Sequence, residues 1–273
     1  MNAFLCPLAS GSLGNALLVA SSRARLLVDM GLSRRRTVAR LQALGVEPDT
    51  IDALLVTHTH GDHFSSAAPG FCAAHGIRVF STAANLEHLA VSMRRFRKLD
   101  RAGLPEPLDG DTVTIGDITI EPFPVPHDSQ GECLGFRLTM GPARRQRVVT
   151  LATDLGHVPD ACLGWFVDSH VVVLESNHDP EMLAASGRPA DLIHRIAGPN
   201  GHLSNGDSAE ALSKIVGRSR RDRVKDMILA HLSRECNTPE IALETHAYLT
   251  SHGAGSVHLS AASQFEPGPM VLL

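Results

Sequence analysis

The chain has 273 residues and a formal net charge of −4, with 25 Lys and Arg against 29 Asp and Glu. A hydrophobic share of 43% suffices for a sizeable core and excludes a disordered chain, while the slight acidity excludes a global electrostatic pull towards nucleic acid or anionic membrane. One Trp and one Tyr argue against a base-stacking surface, and no stretch approaches the ~18 apolar residues of a membrane span.

In chain order, the N-terminal stretch lacks a basic leader ahead of its apolar residues and breaks into Gly, Ser and Asn, unlike an export signal. Cys6, Cys72, Cys133, Cys162 and Cys236 are scattered and form no C-x-x-C pair, so a cytoplasmic location is expected. "ASGSLGN" (9–15) is a turn between strands, where Ser10, Ser12 and Asn15 either face an anion or close a simple hairpin. Strands are expected at 15–20 and 24–29, and Ser33 then caps a helix over "RRRTVARLQAL" that stops at Gly45. The strand at 51–57 runs straight into "HTHGDH", residues 58–63.

After a strand at 77–80, helical spacing covers 83–99, and strands follow at 112–121, 134–139 and 147–153. His127 stands in the proline-stiffened loop "PFPVPHDS", and Asp154 follows the strand at 147–153. The strand at 170–175 ends in "ESNHD", which supplies Glu175, Asn177 and His178. "GPNGHLSN" (198–205) then sets His202, Ser204 and Asn205 before a helix over "SAEALSKIV", capped by Asn205 or Asp207 and stopping at Gly217. The free amides and dipole of such an N-terminus favour phosphate, although a plain helix cap explains the same residues. The strand at 226–231 ends in His231, and Thr238 with Pro239 opens a last helix that stops at Gly253.

Interleaved strands and helices with hairpin-like pairs give a layered α/β protein with mixed sheets. Four apolar runs end in metal-binding groups, at His58, Asp154, Glu175 and His231, and the carboxyl ends of buried strands are where such folds place their sites. His58 and His60 are two apart in an extended segment, so both point to one side and chelate one ion. Asp62 and His63, at the turn, face a second position. Imidazole with carboxylate suits a borderline ion such as Zn²⁺, with Mn²⁺ or Fe as alternatives. His127 is placed to complete the first ion, Asp154 to bridge the two, and His231 to complete the second.

H-x-H-x-D-H followed by isolated His, Asp and His in that order resembles the metallo-β-lactamase superfamily. The resemblance implies an αββα sandwich of two mixed β-sheets flanked by helices, as a single domain over residues 1–273. It implies two divalent metal ions: His58, His60 and His127 on one, Asp62, His63 and His231 on the other, Asp154 bridging. "ESNHD", "GHLSN" and "AHLSREC" look like the WalJ/YycJ-like branch, which is similar to ribonucleases Z and J and is associated with 5′-to-3′ exonuclease action on DNA. That implies a phosphodiesterase whose metal-bridging hydroxide attacks phosphorus, with Asp62 orienting it or accepting its proton and His202 assisting the leaving oxygen. Asn177, His178, Ser204 and Asn205 are then expected on the substrate side, and single-stranded or end-bearing DNA is the expected partner, with no membrane involved.

The chain departs from that pattern at Cys236, which precedes Asn237 where two asparagines are usual, and it lacks room for a β-CASP insertion or a tRNA-gripping arm. Basic clusters at Arg34–Arg36, Arg94–Lys98, Arg144–Arg147 and Arg218–Lys225 either neutralise phosphates locally or are solvated faces. Two other readings stay open: a small-molecule hydrolase for thioesters, lactones or cyclic phosphodiesters on the same metal site, and a non-catalytic metal- or nucleic-acid-binding protein. The complete ligand set speaks against the second.

Overall fold

Segments such as "ALLVA" and "RLLV" are apolar at successive positions, so each strand must bury both of its faces, which requires cover on two sides. The computed structural model, which describes residues 3–108, 110, 112–251 and 257–273, provides that cover with four layers. The first half of the chain forms β1 (Phe4–Ala9), β2 (Ala16–Ala20), β3 (Arg25–Val28), β4 (Ala53–Leu55), β5 (Arg78–Ser81) and β6 (Pro105–Pro107). The second forms β7 (Val113–Ile115), β8 (Ile118–Pro124), β9 (Leu134–Met140), β10 (Arg147–Ala152), β11 (Val171–Glu175), β12 (Asp226–Ala230) and β13 (His258–Ala261), before β14 (Val271–Leu272) returns to the first sheet.

Two seven-stranded sheets result, ordered β14-β1-β2-β3-β4-β5-β6 and β13-β12-β11-β10-β9-β8-β7. Each is antiparallel on one side and parallel on the other: β3 to β6 run parallel in the first, as do β10 to β13 in the second. Leu17, Val19, Leu26 and Leu55 of one sheet meet Phe136, Leu138, Leu151 and Val173 of the other in the central core. On the outer faces, α1 (Arg34–Ala43), α2 (Ala68–His75), α3 (Ala83–Ser92) and α4 (Arg97–Ala102) cover the first sheet. Of the later helices, α5 (Asp160–Phe166), α6 (Pro180–Ala184), α7 (Ala190–Ile196), α8 (Asn205–Arg218) and α9 (Pro239–Ser251), it is α5, α8 and α9 that pack on the second sheet. The architecture is the two-sheet, helix-flanked sandwich that the resemblance implies, and no described helix is long and apolar enough to cross a membrane.

Several boundaries differ from the sequence reading. The strand expected at 112–121 is a hairpin, split at Gly116, whose φ is +61° and where an added Cβ would lie 2.7 Å from the Arg23 carbonyl oxygen. The helix expected over 83–99 breaks at an extended Met93, which lets Phe96 and Leu99 enter the core under the helices. Ser204, not Asn205 or Asp207, caps α8, its hydroxyl accepting from the Asp207 amide at 3.1 Å. That helix runs through Gly217 and ends at Ser219, whose hydroxyl donates to the Ile215 carbonyl. Gly253, the expected stop of α9, lies outside the described residues. β1 carries Pro7 and a bulge, which conceals it from pattern reading.

Candidate metal centre

Parallel strands that end abreast present their next residues along one edge, and this chain fills that edge with carboxylates and imidazoles. Asp29 follows β3, the segment 57–63 follows β4, Asp154 follows β10, Glu175 ends β11 and His231 follows β12. Asp29, Asp154 and His231 all have left-handed backbones, with φ of 60°, 59° and 54°. Asp and His tolerate that region better than most side chains, at a cost of about 1–3 kcal/mol each, and the conformation turns each side chain inward from its strand end.

Four donor sets come together, with ligand atoms within 4.8 Å of one another in each: His58, His60 and His127; Asp62, His63 and His231; His58, His63 and Asp154; Asp154, Glu175, His202 and His231. Asp154 lies between the imidazoles, 3.0 Å from His63 Nε2, 3.4 Å from His231 Nε2 and 4.0 Å from His127 Nε2. Asp62 Oδ2 stands 3.7 Å from His63 Nε2 and 3.6 Å from His231 Nε2.

Three of the rings are oriented from behind. His63 Nδ1 donates to Asp29 at 2.7 Å, His127 Nδ1 to the Gly201 carbonyl at 3.0 Å, and His231 Nδ1 to Glu175 at 2.9 Å. With the proton fixed on Nδ1, each Nε2 presents a lone pair to the centre, the tautomer a metal requires. Asp29 also accepts from the Thr57 amide and hydroxyl, and Thr57 Oγ1 lies 3.0 Å from His58 Nδ1. Three of the buried atoms aimed into this space, His127 Nε2, His231 Nε2 and Asp154 Oδ2, take part in no hydrogen bond. Such orphaned atoms fit a pair of adjoining divalent ions.

The charge balance points the same way. Burial alone would raise Asp154, but the His231 and His63 imidazoles hold it well below the usual carboxylate range. Burial would lower His231, yet Asp154, the nearby Asp62 and the hydrogen bond to Glu175 push it up to about 10. At His63 burial is likewise overcome, by Asp154 and Asp29, and the ring is held well above the ordinary histidine value. Burial and then His63 keep His58 well below that value. The buried carboxylates thus demand positive charge at this point.

In front of the donors lies an open cleft of ≈ 220 Å³. Ser12 forms part of its wall, and α7 contributes Leu192, Arg195 and Ile196. His202 reaches it from the segment before α8, with Nδ1 2.8 Å from Glu175 Oε1. One buried carboxylate therefore holds both His202 and His231, while its other oxygen accepts from the Leu155 amide at 2.8 Å.

Of the eight residues expected on the substrate side, Ser12 and His202 line the cleft, and the structure puts the other six behind its wall. Ser10 accepts from the His231 amide at 2.7 Å, and Asn15 reaches His63 Nε2 at 2.9 Å. The Asn177 side chain donates to the His231 carbonyl at 2.8 Å. His178 is buried in a bridge with Ser204, which is occupied in capping α8, and Asn205 is locked between Ser176 and Asn237. The Asn237 amide also donates to the Ser176 and Asn177 carbonyls, so a single asparagine after Cys236 ties these loops.

Sequence reasoning did not single out Asp29, Thr57, Asp128 or Arg195. Asp29 had a signal, since "ARLLVD" is a fifth apolar run ending in a carboxylate. Asp128 and Arg195, an ion pair on the cleft wall, had none.

A two-sheet sandwich with clustered His, Asp and Glu donors at its shared strand-end edge defines a metal-dependent hydrolase. The Beta-lactamase superfamily domain matches residues 24–231, so the chain belongs to that superfamily, the metallo-β-lactamases. It is 32% identical over 244 residues to a protein of Streptococcus pneumoniae strain D39 named Exodeoxyribonuclease WalJ, covering 86% of this chain and 83% of that one. It is 33% identical over 238 residues to Exodeoxyribonuclease YycJ of Bacillus anthracis, covering 86% and 84%. Among solved structures, the metallo-beta-lactamase fold protein YhfI of Bacillus subtilis shares the fold, with TM-score 0.69, 14% identity and 99% of both chains covered.

Proposed function

We propose that the chain is a dinuclear phosphodiesterase that degrades DNA from its ends as a 5′-to-3′ exonuclease, working as one domain in the cytoplasm. The five free, buried cysteines support that location. His58, His60 and His127 hold one ion, Asp62, His63 and His231 the other, and Asp154 serves both; zinc suits this donor set best, with manganese or iron as alternatives. When bound, the ions supply Lewis acidity for the phosphoryl oxygens and lower the pKa of a water.

The observation that carries the reading is the shared carboxylate Glu175. Burial lowers the proton affinity of His202, but the charge and hydrogen bond of Glu175 outweigh it and raise its pKa. His202 therefore holds a proton on Nε2 and delivers it to the leaving oxygen, while Asp62, only partly buried at the cleft, orients the attacking water and accepts its proton. The relatives named as exodeoxyribonucleases support a DNA substrate. Ser12 contacts the substrate, and Ser10, Asn15, Asn177, His178, Ser204 and Asn205 hold the walls.

The test compares a 5′-phosphorylated single-stranded oligonucleotide with a thioester and a cyclic nucleotide, on wild type and on His60→Ala and Asp154→Asn. Loss of oligonucleotide cleavage in both variants, with circular dichroism unchanged, is expected. Cleavage of the small substrates alone would sink the nuclease reading, and wild-type rates in the variants would sink the metal assignment.

A further inference from the structure

At the edge opposite the cleft, the amino ends of β10, β11 and β12 open on a second cavity of ≈ 490 Å³. Arg147, His170, Arg223 and Lys225 line it beside the apolar Val171 and Leu272. β11 separates the two edges by its five residues, roughly 16 Å at about 3.3 Å per residue. None of the residues around the metal centre contributes to it.

His170 is the deep group of this cavity, with 9% of its surface exposed. Its Nδ1 accepts from the Val148 amide at 3.0 Å, which fixes the ring proton on Nε2. Nε2, at the opposite corner of the ring, has no hydrogen-bond partner among the described residues. Burial, then the charges of Arg223, Arg147, Arg137 and Arg220, push His170 down to about 4, so it stays a neutral N–H donor near pH 7. His170 Nε2 thus offers a neutral donor to the cavity beside the Arg147, Arg223 and Lys225 cations.

The acidic side chains on the rim have partners of their own. Asp226 faces His258 at 3.4 Å and Asp222 faces Arg221 at 3.7 Å. The outer arginines are also engaged, Arg218 with Asp160 and Arg220 with Asp168, so this run offers no continuous track for a nucleic-acid backbone. Arg147 and Lys225 instead stand on the exposed rim of one open cavity, and Arg223, whose Nε donates to the Asp168 carbonyl at 2.9 Å, lines it beside them.

We propose that this cavity is a second ligand site, which binds a small organic phosphate of nucleoside monophosphate size: its phosphoryl group meets His170 Nε2, Arg147, Arg223 and Lys225, and the rest of the ligand lies against the exposed Leu272. The site is independent of the cleft and of the reaction proposed for it.

Calorimetric titration of the full chain with adenosine 5′-monophosphate, in the presence of EDTA, tests this, because stripping metal removes the phosphate affinity of the cleft. One equivalent is expected to bind. Arg147→Ala combined with Lys225→Ala, both on the exposed rim, should weaken binding at least about ten-fold, the usual weight of a charged hydrogen bond. His170→Asn keeps an acceptor for the Val148 amide but removes the Nε2 donor, and should also weaken binding while the melting temperature holds. His60→Ala in the cleft should bind as wild type does. Absence of binding, equal affinity for adenosine, or loss in His60→Ala alone would overturn the proposal. Binding of an oligonucleotide but not of the mononucleotide would overturn it in favour of a backbone contact.

Discussion

At the scale of single residues, the centre is governed by acceptors that touch no reacting atom. Glu175 and Asp29 each fix imidazole tautomers, and replacing such partners typically costs 10–100-fold in metal affinity or activity. Glu175→Gln keeps the shape and removes the charge. It should lower the turnover of a model phosphodiester by about that factor, since both His202 and His231 lose their anionic acceptor. Asp29→Asn should leave His63 badly held, seen as faster loss of metal to a competing chelator. A pH effect follows at the other edge. The folded chain depresses His170 from 6.5 to about 4, so between those values the unfolded chain takes up a proton that the fold refuses. The contribution is complete above pH 6.5 and is lost as pH falls towards 4. Urea midpoints across that window should fall more steeply for wild type than for His170→Asn.

At the scale of elements, backbone fit positions the ligands as much as side chains do. The amide of Gly31 donates to Asn15, Asn15 N donates to Asp62 O, and Met30 N donates to His63 O, which interlocks three loops. A Cβ on Gly31 would lie 1.7 Å from the Asp62 carbonyl. Gly31→Ala must therefore displace the segment that carries Asp62 and His63, and should cost at least about 1–3 kcal/mol by denaturant titration, with activity lost too.

This is also where the sequence was most and least readable. "HTHGDH" was legible because its donors are contiguous, and Asp154 and His231 because each terminates an apolar run. Asp29 obeys the same rule at the end of "ARLLVD". The direction of a side chain was not legible: Ser204 and Asn205 promise phosphate donors by type, yet a cap and the Asn237 amide consume them. The short α7, which lines the cleft, has no buried residue and so left no periodic apolar stripe to find.

On the scale of the whole molecule, the two sheets repeat one plan, an antiparallel half joined to a parallel half, and the centre lies where their parallel halves end together. The layered class was readable from the alternation of strands and helices. The strand order was not, because β14 joins the first sheet from the far end of the chain. In the proposed assignment the ions neutralise buried carboxylates in both sheets, so chelation should lower the melting temperature and zinc should restore it. Stabilisation of about 2.7 kcal/mol is expected at a free metal concentration 100 times Kd.

The inward-turned Asp154 and His231 belong to one sheet, and His58 to His63 to the other. Each proposed ion thus draws on both, and neither sheet alone can encircle it. A half-folded chain therefore has no completed pocket, and full ligation of either ion waits until the two sheets have come together.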